Sequence, residues 1–224
     1  MLVLVVDSST PAVTAALAEI TPEAVTLRAQ RTAVDARAHG ELLAPAIEAV
    51  LAEARARPGD LAAVIAGLGP GPFTGLRVGL VTAAALGHAL RIPTYGVGSL
   101  DALGAAAAPG RVLAASDARR REIYWAAYED GKPITVPAVA APAAVAERAP
   151  ELGVTAAVGD GAHRYADVLG LPVRDEPRYP PPGALAALGA DRVRSGAPGE
   201  RLVPLYLRRP DAAEPGVRKA VLPS

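Results

Sequence analysis

The chain has 224 residues, no cysteine, and 23 basic against 23 acidic side chains. A chain of that size buries roughly 70% of its unfolded surface, so it needs no disulfide staple. The missing cysteines exclude disulfide frameworks, thiolate-zinc sites and cysteine nucleophiles and point to the cytoplasm, while the charge balance argues against binding nucleic acid or acidic membranes through a net field.

In chain order, Leu2 to Val6 is an unbroken apolar, largely β-branched run, suited to a strand buried on both faces. No positive charge precedes it and Asp7 interrupts it, so it does not read as a signal peptide. Ala12 to Ile20 and Ala24 to Arg31, joined through Thr-Pro-Glu, predict an antiparallel hairpin. From Gly40 to Arg57, Leu43, Ile47, Val50, Leu51 and Ala54 recur at helical spacing until Pro58-Gly59 stops the helix. A strand Ala62 to Gly67, a turn, a helix to about Leu90, a strand Thr94 to Val97 and a short Ala-rich helix from Ser99 follow. The best membrane-span candidate, Leu76 to Leu90, carries Arg77 and His88, so no membrane segment is expected.

After Pro109-Gly110 the pattern restarts. Val112 to Ala115 reads as a strand, an Asp closes it, and Glu122 to Tyr128 alternates toward the turn Glu129-Asp130-Gly131. Leu-Val-Leu-Val-Val-Asp at Leu2 to Asp7 and Val-Leu-Ala-Ala-Ser-Asp at Val112 to Asp117 are both strand, then Asp, then hairpin. This reads as an α/β chain of two halves, 1–108 and 109–224. The Pro-rich stretch from Glu176 to Gly183 reads as loop and the residues after Asp211 as a frayed tail.

The stretch Gly67 to Gly79, Gly-Leu-Gly-Pro-Gly-Pro-Phe-Thr-Gly-Leu-Arg-Val-Gly, invites a phosphate-cradle reading. It has no Walker lysine, Thr74 stands where a dinucleotide fingerprint has its third glycine, and Pro70 and Pro72 have no N–H to aim at an anion. It specifies an abrupt turn from strand to helix instead.

Two halves that each open strand, Asp, hairpin are the layout of the actin-like ATPase and sugar-kinase superfamily, with its ribonuclease-H-like mixed sheets flanked by helices. Five blocks in order carry a closer resemblance: Val5 to Thr10 (VVDSST), His39 to Ile47 (HGELLAPAI), Gly69 to Gly79 (GPGPFTGLRVG), Ile92 to Leu100 (IPTYGVGSL) and Asp117 to Trp125 (DARRREIYW), with a sixth at Val203 to Arg208 (VPLYLR). Together they resemble the TsaB (YeaZ) family. That resemblance implies a non-catalytic partner of TsaD which, with TsaE, serves the attachment of a threonylcarbamoyl group to the adenosine beside the tRNA anticodon. It implies tRNA contact through the complex and no cofactor bound by this chain alone. ATP and a divalent metal belong to the partner or the joint, and a homodimer can form when the partner is missing.

The transfer chemistry is attributed to TsaD, with a metal between two histidines spaced His-x-x-x-His; those positions fall here on Ser99 and Leu103, and leucine cannot ligate. His39, His88 and His163 are scattered, with no second ligand at helical spacing. There is no Gly-x-Ser-x-Gly elbow and no His-Glu-x-x-His. Asp7, Ser9, Thr10 and Asp117 stand where working members of the superfamily hold metal and phosphate and are vestigial nucleotide-site candidates, although Asp at a strand end also commonly closes a turn. The rival class is a self-sufficient nucleotide-dependent enzyme of sugar-kinase or glycoprotease-like type.

Two helix faces are candidates for the partner. On the first helix Leu42, Pro45, Ala46 and Ala49 form a second apolar stripe beside the core stripe. On the second helix Gly75, Gly79, Ala83 and Gly87 recur four apart, a stripe almost without side chains that calls for close approach of another backbone. The protein's own sheet is one possible neighbour; TsaD is the one the resemblance implies, and the expectation is TsaD.

Overall fold

β1 (Leu2–Asp7) is buried from Val3 onward, which is why an unbroken run of Val and Leu suits it: both of its faces meet apolar neighbours. The structure, a computed structural model, describes residues 1–208; the expected tail after Asp211 lies outside them. β1 pairs antiparallel with β2 (Ala12–Ile20), which pairs antiparallel with β3 (Val25–Val34). The chain then runs through α1 (His39–Glu53), β4 (Leu61–Gly67), α2 (Phe73–Leu90) and β5 (Thr94–Val97), giving a five-stranded sheet of order β3-β2-β1-β4-β5 whose last two strands are parallel to β1. This is the expected order of elements, with β3 longer than the hairpin pattern suggested and α1 closing at Glu53, before Arg55 turns to a φ of 54°.

α3 (Ser99–Ala106) leads to the second sheet: β6 (Arg111–Asp117), β7 (Ile123–Glu129), β8 (Lys132–Pro133) and β9 (Ala138–Ala140), then α4 (Pro142–Leu152) and β10 (Ala156–Val158). Its order is β10-β6-β7-β8, with β9 also on β7, and β6 is paired parallel to β10 and antiparallel to β7. Two short helices, α5 (Asp160–Arg164) and α6 (Ala166–Leu169), and a longer one, α7 (Pro182–Arg194), complete the described chain. α7 begins inside the stretch expected to be loop, because Pro182 sits in its first turn, where a missing N–H costs nothing.

Four apolar clusters hold the layers. One face of the first sheet packs α1 and α2 through Leu43, Ile47, Val50, Leu76 and Leu80; the other packs α7 through Leu185, Ala186, Ala190 and Val193. α3 lies between the sheets, giving Ala102 to the first and Leu100 and Leu103 to the second. The far face of the second sheet is covered by α4, α5 and α6, through Val145, Ala149, Ala162 and Leu169 around Trp125. A division between residues 108 and 109 thus separates the strands but not the cores, since α3 and α7 each pack across it.

The Gly75, Gly79, Ala83, Gly87 stripe corrects the expectation of a partner contact. All four residues are buried inside the chain. A Cβ on Gly79 would lie 2.5 Å from Ser8 Oγ, and one on Gly87 2.5 Å from Thr94 Cγ2. The stripe lets α2 settle on the ends of β1 and β5; spacing had fixed the small face but not the neighbour it meets. By length and composition α2 could cross a membrane, yet this face is packed on the protein's own sheet.

Candidate functional site

Asp7 ends β1 where the strand leaves the sheet, and Ser8, Ser9 and Thr10 follow it into the interior. All four are buried, and each is engaged within the chain. Ser9 donates its N–H and its hydroxyl to Asp7 Oδ1 at 2.9 and 2.8 Å, and Ser99, at the start of α3, donates its hydroxyl to Oδ2 at 2.6 Å. Burial pushes the Asp7 carboxyl pKa up, against the opposing pull of the Ser99 and Ser9 hydrogen bonds. Ser8 Oγ donates to the Gly75 carbonyl at 2.8 Å and accepts from the Gly79 N–H at 2.9 Å, the two groups that a regular helix joins to each other. His39 Nε2 donates to the Thr10 carbonyl at 2.8 Å, which fixes the proton on that nitrogen.

The Gly-Pro-Gly-Pro turn closes over this cluster. Gly69 has a φ of 88°, its N–H donates to Ser99 Oγ at 3.1 Å, and its carbonyl accepts from the Ser99 N–H at 2.8 Å. A Cβ on Gly71 would fall 2.1 Å from the Ser9 carbonyl oxygen, so only glycine allows the turn to lie there. Ser99 therefore joins Asp7 to the turn. Leu103, the other position of the His-x-x-x-His spacing, is fully buried in the second sheet's core.

Asp117 stands apart from Asp7, at the end of β6, and no hydrogen bond or ion pair joins the two among the described residues. Its carboxylate pairs with Arg164 at 3.3 Å, and its neighbour is Asp160, the first residue of α5. Asp160 is 8% exposed and its Oδ1 has no hydrogen-bond partner. Burial pushes its pKa up to about 6; a hydrogen bond from the Asp117 backbone opposes this, and the charge of Asp117 adds to it. Among the described residues no three His, Asp or Glu side chains converge at metal-binding distance. Asp7 is 2% exposed with Oδ1 bonded to Ser9 and Oδ2 to Ser99, so its carboxylate is poorly placed to hold a metal.

A cleft of about 550 Å³ lies between elements of the first sheet's layer and elements that follow the second sheet's first strand. Its walls are the starts of α1 and α2 on one side and the β6–β7 turn and Tyr206 to Arg208 on the other. Sequence reasoning missed this cleft. The Asp-Ala-Arg-Arg-Arg run was visible as part of a family block, but nothing in it told that Arg37 and Arg208 stand opposite.

The family model described as TsaD, tRNA N6-adenosine threonylcarbamoyltransferase, matches residues 28–178. The chain belongs to this family. Within it the likeness is to its TsaB (YeaZ) members. An Escherichia coli protein named tRNA threonylcarbamoyladenosine biosynthesis protein TsaB is 35% identical over 152 residues, 62% of this chain and 66% of that protein. The solved structure titled YeaZ from Pseudomonas aeruginosa superposes with a TM-score of 0.73 at 26% identity, covering 92% of this chain and 99% of that one. An uncharacterized protein of Mycobacterium tuberculosis is 49% identical over 211 residues, 94% of this chain and 93% of its own length. The α/β fold of two mixed sheets flanked by helices is thus that of a TsaB-like, actin-like ATPase relative.

Proposed function

We propose that this chain serves the formation of N6-threonylcarbamoyladenosine in tRNA as a non-catalytic subunit that binds a TsaD-type transferase and makes it competent. The observation that carries the reading is the sealed Asp7 carboxylate. Both of its oxygens accept hydrogen bonds from Ser9 or Ser99, and the residue is 2% exposed. An acidic group that serves ATP chemistry does so by holding a divalent metal on the phosphates, which requires carboxylate oxygens open to that metal. The names of the TsaB relatives supply the pathway.

The partner surface is the outer side of α1 and α2. Leu42, Ala46 and Ala49 are only half-buried and Pro45 is exposed. α2 is apolar, yet only six of its eighteen residues are buried, and Val81 stands 65% exposed. Exposed apolar area of this kind is where a protein partner docks. In this reading TsaE joins the assembly, tRNA is bound by the complex, and ATP and a divalent metal sit in the partner or at the joint. The subunit works in the cytoplasm and pairs with itself when TsaD is missing. The test is to assay the isolated chain with ATP and a divalent metal. Background-level turnover is expected, and turnover that Asp7→Ala abolishes would overturn the non-catalytic assignment.

A further inference from the structure

We propose that the cleft beside the β6–β7 turn binds the sugar-phosphate backbone of RNA, so that this subunit touches nucleic acid with its own side chains. Arg37, Arg119, Arg120 and Arg208 line the cleft, and no carboxylate among the described residues does. The balanced net charge hides this, because it sums over the whole surface while these four come from three separate stretches of sequence. Among the described residues the Arg37 and Arg119 guanidinium groups form no ion pair, and only their backbone N–H groups reach carboxylates, Asp35 and Asp117. Arg208 pairs with Glu122 and donates to the Arg119 carbonyl at 3.5 Å, bracing the turn that carries the other two.

That turn is built against its own backbone preference. Arg119, Arg120 and Arg121 all adopt left-handed conformations, with φ of 59°, 51° and 61°, in a hairpin closed by the Ala118 N–H on the Glu122 carbonyl and the Glu122 N–H on the Arg119 carbonyl. L-residues avoid this region, and three in succession without a glycine persist only where the surroundings impose them. The outcome is a tip of consecutive guanidinium groups at the cleft's edge, all exposed.

The opposite wall adds the N-terminal ends of two helices, with Glu41 in the first turn of α1 as the nearby acid outside the lining. α1 and α2 both open into the cleft, and their N-caps, Ala38 and Pro72, offer no side chain to the first-turn N–H groups. Phe73, on this wall, stacks on Tyr206 of the other wall with ring centroids 5.3 Å apart, and the guanidinium of Arg77, one turn further along α2, lies 3.6 Å over the Phe73 ring. Phe73 and Tyr206 are 45% and 40% exposed. Guanidinium groups interleaved with exposed aromatic rings are the chemistry that holds phosphates and stacks bases of a single strand. The choice of RNA over another polyanion rests on the tRNA-modification reading above.

The test is fluorescence anisotropy of the full chain with a labelled tRNA anticodon stem-loop, titrated at several salt concentrations. The parent is compared with the double variant Arg119→Gln, Arg120→Gln and with Arg28→Gln, whose side chain pairs with Glu19 away from the cleft. The double variant should bind at least ~10-fold more weakly, and the slope of log K against log salt should fall by about 1 to 2, roughly one unit for each phosphate no longer neutralised. Arg28→Gln should match the parent, and circular dichroism should be the same for all three. Parent-like RNA binding by the double variant, no RNA binding by the parent, or full displacement of the RNA by equimolar ATP would each overturn the proposal. A parallel threonylcarbamoylation assay keeps the two readings apart. If modification needs the chain while the double variant binds RNA normally, only the cleft is misread; if RNA binding is lost as expected and modification never needs the chain, only the pathway is.

Discussion

The Ser99 hydroxyl and Asp7 Oδ2 lie 2.6 Å apart, and through that bond the start of α3 is fastened to the end of β1. Ser99 Oγ also accepts from the Gly69 N–H, so one side chain ties strand, turn and helix together. Ser99→Ala leaves a buried carboxylate oxygen and a buried N–H without partners, each costing about 1–3 kcal/mol. Urea unfolding should show a clear loss of stability. A variant as stable as the parent would mean that water or another group replaces the hydroxyl.

Asp160 should make stability depend on pH. Its pKa is raised from 3.8 to about 6 in the folded chain. The folded state therefore holds its proton more tightly than the unfolded state. The contribution is fully present below about pH 4 and is lost as pH rises through 6. The buried Asp7, also raised, acts in the same direction. Asp160→Asn cannot titrate, so its stability relative to the parent should improve between pH 4 and pH 7 by on the order of 2–3 kcal/mol. A gap that stays constant across that range would contradict the assignment.

Gly79 is the tightest point of the α2 stripe against β1. Gly79→Ala puts a methyl group 2.5 Å from Ser8 Oγ, on the hydroxyl that bridges Gly75 and Gly79. Overpacking of this kind costs typically about 1–3 kcal/mol, and at this chain length each kcal/mol lowers the melting temperature by roughly 2–4 °C. The isolated protein should lose that stability with no partner present. An unchanged melting temperature would return the stripe to the role of an external contact.

The outer helix faces should behave in the opposite way. Val81→Glu on α2 and Ala49→Glu on α1 place a charge at exposed or half-exposed positions, so the isolated fold should hold within about 0.5 kcal/mol. In a complex the same charge is desolvated without a partner, which is strongly destabilising. Pull-down with the TsaD of the same organism should weaken at least tenfold for each. Parent-like capture of both would place the contact elsewhere.

Much of the first sheet was legible because its signals are local: an unbroken apolar run for β1, helical spacing in α1 ended by Pro58-Gly59, and a Gly-Pro-Gly-Pro turn into α2. The second half was less so. β9 and β10 have three residues each and α5 and α6 five and four, too short for any periodicity to register. α7 was hidden by the prolines at its start, and no local pattern could say that it packs on the first sheet. Asp7, Ser9, Thr10 and Asp117 stood out in the sequence as candidates, but their surroundings did not. Whether a carboxylate is open or sealed depends on Ser99, 92 residues away.

In the function proposed above, this chain is a TsaD-dependent subunit of tRNA modification that does no chemistry of its own. The most direct measurement is threonylcarbamoyl transfer to tRNA by the TsaD and TsaE of the same organism, with and without this chain, in the parent and Asp7→Asn forms. Modification should require the chain, and Asp7→Asn should support it at the parental rate once folded protein is matched. Modification that proceeds equally well without the chain, or that needs it but fails with folded Asp7→Asn, would contradict the account.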